Sequence, residues 1–149
     1  MKSELLFDED LSLKTIRIGL IEARDLRWPR AVVVPGTEGS PGGEEAALDP
    51  RFAGIVQSVG ARGLEAISAP RKSAVRDMLR YGRYKPAGRA KPSSEYLLQA
   101  ALESDFPAVN FFVDAVNIVS LVSGYPISIV DPGKAGFDFL LRRGREDEK

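Results

Sequence analysis

The sequence predicts an α+β domain in which strands from both ends of the chain pair in one mixed sheet, with about four helices packed against it. Residues 13–23 alternate apolar and polar around Ile16, Ile18 and Leu20 and read as a strand. Near the other end, 126–130 and 137–141 are short apolar runs rich in β-branched and aromatic residues. Between these ends, apolar side chains recur every three or four residues, the spacing of a helix face. The chain has 149 residues, 44% of them apolar, enough for one core of ordinary size, and no internal repeat or low-complexity linker divides it. One domain over 1–149 is therefore expected.

Each element has its own local warrant. Residues 31–34, Ala-Val-Val-Val, predict a second short strand, and the proline- and glycine-rich 35–43 that follow predict a loop. That loop holds no GxGxxG or Gly-Lys-Ser/Thr pattern for cradling phosphate. Phe52, Ile55, Val56, Val59 and Leu64 predict a helix that Gly60 or Gly63 breaks or ends, and Val75, Met78 and Leu79 mark a second over 73–81. Pro86 and Pro92 bracket a loop, because each removes a backbone donor and restricts the residue before it. Ser93 is then placed to cap a helix running to about 103, with Glu95 in its first turn and Tyr96, Leu97, Ala100 and Ala101 on its buried side. A fourth helix is expected over 111–123, stopped by Gly124 in a left-handed conformation. Residues 126–130 would then enter the core as a strand.

Composition excludes several chemistries. There is no Cys and no His, so disulfides, thiolate catalysis, serine–histidine catalysis and the usual zinc sites are all ruled out. No metal centre or cofactor is expected beyond, at most, a hard cation held by carboxylates. No apolar run reaches 18 residues, and the first ten residues are too acidic for a signal peptide. The expectation is a cytoplasmic protein with no membrane partner; self-association is left open.

Two features invite a functional reading. On a helix over 111–123, Asn110, Asp114, Asn117 and Ser120 share a polar stripe among valines and Ile118, which puts an amide and a carboxylate inside the fold. Buried polar groups need partners, structural or functional. Asp114, in the first turn, is placed to accept from nearby backbone N–H groups; Asn117 could pin neighbouring elements or hold a ligand. Asp131, before Pro132 and Gly133, is ordinary turn chemistry. The second feature is charge: residues 71–91 hold eight basic side chains and one acid, Asp77, whereas the rest of the chain has 13 basic and 20 acidic residues. Arg76, Arg80, Arg83, Lys85, Arg89 and Lys91, with Tyr81 and Tyr84 among them, suit phosphate contact plus stacking on an aromatic ring. A solvated helix face followed by a loop would have the same composition.

Arg80-Tyr81, Pro92-Ser93-Ser94-Glu95 with Leu97 and Leu98, Val109-Asn110, Val113-Asp114, Asn117, Ser120-Leu121, Pro126, Asp131, Leu141-Arg142-Arg143 and Asp147-Glu148 follow one another in an order that resembles the B3/B4 domain of the phenylalanyl-tRNA synthetase beta subunit. The likeness is nearer to freestanding B3/B4-type proteins. It covers residues 72–148, and residues 1–70 match only loosely. In that family the domain holds an editing pocket that hydrolyses tyrosine wrongly attached to the phenylalanine tRNA. The resemblance thus implies a tRNA or aminoacyl-tRNA partner and aminoacyl-tRNA deacylation, with no ligase activity from this chain alone.

Position by position, it gives Asn117 the role of the pocket amide and Pro126 the start of the pocket strand, with Asp114 beside them. Two positions depart: Val116 stands where the family often has Thr, and Ser128 where it often has His. The family's pocket Glu belongs to a later segment, and the module typically runs some tens of residues past the Asp-Glu pair, so the fold is expected to be incomplete at the C-terminus. Hydrolysis on this pattern would use a positioned water, with Asn117 and Ser128 orienting it and Arg80 or Arg89 holding the RNA backbone. The alternatives are a noncatalytic module that binds an amino acid or similar small molecule, and a protein-interaction domain that uses 71–91.

Overall fold

A computed structural model describes residues 4–8, 11, 16–27, 47–81 and 83–145. These fall into two compact units, one formed by the terminal segments up to Leu26 and from Val130, the other spanning 27–129. The architecture is α+β.

In the terminal unit, β1 (Glu4–Phe7) and β2 (Asp138–Leu141) pair in parallel, with Glu4 opposite Asp138 and Phe7 opposite Leu141. Strands from the two ends do pair, as the sequence predicts, but the N-terminal one lies at 4–7. Residues 16–23 of the expected strand have no regular structure, and 13–15 lie outside the described residues, as do 31–34 and 35–43. Alternation needs a partner strand to become a ladder, and among the described residues no strand pairs with 16–23. Ile16 is buried, yet Ile18, Leu20 and Ile21 all face solvent. A one-turn helix, α5 (Pro132–Ala135), precedes β2; the Asp131 carboxylate caps it, accepting from the Gly133 N–H at 2.9 Å.

The other unit is helical. Its elements are α1 (Pro50–Ala61), a 3₁₀ turn at Gly63–Ala66, α2 (Ala69–Leu79), a 3₁₀ turn at Gly88–Ala90, α3 (Ser93–Leu102) and α4 (Phe111–Ser123). Asp49 starts α1, accepting from the Arg51 N–H at 2.9 Å, and Pro50 occupies the first helical position, where its missing N–H costs nothing. Contrary to expectation, α1 runs through Gly60. A Cβ there would lie 3.2 Å from the Ala101 carbonyl oxygen, so the glycine is what lets α1 approach the backbone of α3. The core is built helix against helix: Val56 and Val59 of α1, Ala66 and Ile67, Leu97 and Leu98 of α3, and Ile118 and Leu121 of α4, with Phe52, Leu102 and Phe106 packed on it. Phe52 and Phe111 stack with centroids 5.3 Å apart.

The fourth helix has the predicted limits. Gly124 ends it at φ +74, and its N–H bonds the Ser120 carbonyl. Residues 126–130, however, are irregular and mostly exposed rather than a core strand; Pro126 offers no donor, and no described strand pairs with them. Pro92, not Ser93, sits at the α3 cap, and Tyr96 faces solvent while Leu98 takes the buried place. Of the apolar side expected for α2, Val75 alone is fully buried.

Candidate functional site

The polar stripe of α4 is largely consumed in building the helix. Asn110 is the N-cap, its side-chain oxygen accepting from the N–H groups of Phe112 and Val113, each at 3.1 Å. Asp114 is 3% exposed and its carboxylate turns back to accept from the Val109 N–H at 2.9 Å. The pair forms a reciprocal cap, in which Asn110 satisfies donors inside the helix and Asp114 the donor just before it. At the far end the buried Ser120 hydroxyl donates to the Tyr125 carbonyl at 2.6 Å, holding the chain as it leaves Gly124.

Asn117 differs from these three. It is half-buried, and its amide makes no hydrogen bond among the described residues. Pro126 is half-buried and Ser128 exposed, both on the irregular stretch after α4. Clefts open among the described residues of this unit. One, of about 470 Å³, lies between α1 and α3, walled by Val56, Gly60, Ala101, Leu102 and Phe106. Another, of about 190 Å³, is bounded by Arg62, Ser68, Arg71 and Ser123. Neither is lined by Asp114, Asn117, Pro126 or Ser128. Among the described residues no cluster of three or more acidic side chains is arranged to hold a metal ion.

The basic segment divides into two groups with different fates. On α2 the cations are engaged within the fold. Arg71 donates to the Ser123 carbonyl at 3.3 Å and lies 4.1 Å over the Tyr125 ring, and Lys72 donates to the Leu64 carbonyl at 2.6 Å. Arg76 donates to both carboxylate oxygens of Glu95 on α3 through one guanidinium edge, from Nε at 2.7 Å and from Nη2 at 2.5 Å, and these hydrogen bonds raise its pKa further. Arg80 pairs with Asp77 at 3.1 Å on the surface. Arg76 and Arg80, both read from the sequence as RNA contacts, thus already have carboxylate partners.

In the loop between α2 and α3 the arrangement reverses. Arg83, Lys85 and Arg89 are exposed and make no ion pair among the described residues, while Lys91 lies 5.7 Å over the Tyr96 ring. Hydrogen bonds join the described residues of the loop. The Tyr84 N–H donates to the Tyr81 carbonyl at 2.8 Å, closing a tight turn in which Tyr81 and Tyr84 form an isolated antiparallel bridge. The Tyr84 hydroxyl donates to the Ala90 carbonyl at 3.0 Å, and Pro86 and Pro92 are buried beneath. Both tyrosine rings remain about half exposed, at 53% and 48%. Three free cations and two accessible rings therefore stand on the one loop between α2 and α3. The charge is visible in the sequence but the division between engaged and free arginines is not, because Glu95, which takes Arg76, lies 19 residues away.

No family model, curated protein or solved structure matches this chain.

Proposed function

We propose that this chain is an RNA-binding protein of B3/B4 type, and that the loop between α2 and α3 is its contact with the phosphate backbone of tRNA. The observation that carries this reading is the trio Arg83, Lys85 and Arg89, exposed and without ion pairs among the described residues, beside Tyr81 and Tyr84. Cations that stabilise nothing in their own fold are free to displace counterions from a polyanion, and adjacent rings add stacking. The order of motifs from Arg80-Tyr81 to Arg142-Arg143, which resembles that of the synthetase's editing domain, favours tRNA as the polyanion.

The test is binding of total tRNA at two salt concentrations. Three phosphates neutralised predict an affinity loss of about 20- to 40-fold between roughly 50 and 200 mM salt. Arg83→Glu, Lys85→Glu and Arg89→Glu together should remove most of the binding and flatten the salt slope. Binding that ignores both salt and the reversals sinks the reading.

A second reading, aminoacyl-tRNA deacylation, is favoured by one observation: Asn117 is the member of the α4 stripe whose amide has no partner among the described residues, which leaves it able to orient an aminoacyl ester or a water. An Asn117→Ala protein that deacylates mischarged tRNA at the unmodified rate would remove that role.

A further inference from the structure

We infer that the α2–α3 loop selects unpaired nucleotides over duplex RNA, with the Tyr81 and Tyr84 rings stacking on an exposed base while Arg83, Lys85 and Arg89 hold the flanking phosphates. This rests on the RNA reading above and narrows it to a substrate class.

Phosphates are present on both single strands and duplexes, so the three cations alone do not distinguish them. The tyrosines do. In an A-form duplex every internal base is covered on both faces by its neighbours, and the deep, narrow major groove keeps side chains out. A ring can stack only on a base whose face is free, which means a loop, a bulge or an end.

The loop is built for that contact. Tyr81 and Tyr84 oppose each other across an antiparallel bridge, which puts their side chains on the same face of the turn. The hydroxyl of Tyr84 is anchored on Ala90, so its ring is held before any ligand arrives and little rotamer freedom remains to be lost on binding. Arg83 lies between the two tyrosines in sequence, and Lys85 and Arg89 follow on the same loop, so base and backbone contacts fall within one short stretch. The Arg76–Glu95 pair ties α2 to α3 and so fixes the two ends of the loop.

The test compares a fluorescein-labelled RNA strand of about twelve nucleotides with the same strand annealed to its complement, a length within the range of known single-strand sites. Tighter binding of the single strand is expected, with Tyr81→Leu and Tyr84→Leu each weakening it by about 5- to 100-fold and leaving duplex binding nearly unchanged. Tyr84→Phe, which keeps the ring and loses only the anchor to Ala90, should retain most of the affinity; this separates stacking from loop collapse.

Equal affinity for strand and duplex, with the leucine variants silent on both, overturns the inference while leaving phosphate binding intact. Loss of affinity for both forms in the triple charge reversal, without any tyrosine effect, overturns it in the same way. Absence of binding to either form overturns this inference together with the RNA reading.

Discussion

Arg76 and Glu95 meet across the base of the basic loop, joining the second half of α2 to the first turn of α3 through two hydrogen bonds of 2.7 and 2.5 Å. Because Val75 is the single fully buried side chain of α2, this pair and the bond from Arg71 to Ser123 contribute much of what holds that helix in place. The Arg76 side chain is 43% exposed, which screens the attraction, whereas that of Glu95 is only 11% exposed. A double-mutant cycle with Arg76→Ala and Glu95→Gln should give a coupling of about 1 kcal/mol in urea unfolding, shrinking as salt rises. A coupling indistinguishable from zero would show that packing alone positions α2.

The reciprocal cap of α4 separates structural from free polar groups. Asn110→Ala should cost about 1 kcal/mol, the usual magnitude for a lost N-cap. Asp114→Ala should cost about 1 to 3 kcal/mol, since it strips the acceptor from the Val109 N–H and leaves a void in a buried site. Asn117→Ala, by contrast, should change stability by less than about 0.5 kcal/mol, because no hydrogen bond is lost. Denaturation midpoints of the three variants check this; a costly Asn117→Ala would place that amide in the architecture instead.

Gly124→Ala should be more damaging than a left-handed glycine alone implies. The backbone sits at φ +74, and a Cβ there would lie 2.7 Å from Ile67 Cγ2 and 3.1 Å from Arg71 Cγ. Strain contributes about 1 kcal/mol and the clash with the buried Ile67 adds to it, for a total of roughly 2 to 3 kcal/mol. Thermal unfolding measures the sum. A loss of half that size would mean that Ile67 moves aside.

Asp49 gives the α1 N-terminus a pH dependence with a definite sign. Hydrogen bonds donated by the Arg51 side chain, then by its backbone N–H, hold the carboxyl at about 2, below its ordinary 3.8. A depressed carboxylate contributes its stabilisation above the ordinary value and loses it as pH falls through the folded one, so the window runs from 3.8 down to about 2. An NMR titration of the Asp49 carboxyl should show a midpoint near 2, with amide exchange at Arg51 and Phe52 rising below it. A midpoint near 4 would mean that the Arg51 contacts do not persist in solution.

Legibility in the sequence followed the range of the interactions. The fourth helix, its limits and the left-handed Gly124 were readable, because the apolar spacing and the stop signal are local. Asp49-Pro50 is an equally local start signal that the apolar pattern from Phe52 onward overshadowed. The strands expected at 126–130 and over the described part of 13–23, residues 16–23, are absent for the opposite reason: a strand exists only with a partner, and partnership is decided elsewhere in the chain. The same holds for the candidate contacts, where spacing alone gave Arg76 and Arg83 equal standing. Only the fold shows that Arg76 grips a carboxylate on α3 while Arg83 has no carboxylate partner among the described residues.

The parallel pairing of β1 with β2 also dictates an order of events during synthesis. Phe7 must wait for Leu141, the last residue of β2, before the ladder can be completed. At a ribosomal pace of about 5 to 20 residues per second, β1 stays without its partner for roughly 7 to 27 seconds after it is made. For that interval both of its edges are open, and its acidic neighbourhood of Glu4, Asp8, Glu9 and Asp10 is the kind of charge that discourages such edges from pairing with a second nascent chain.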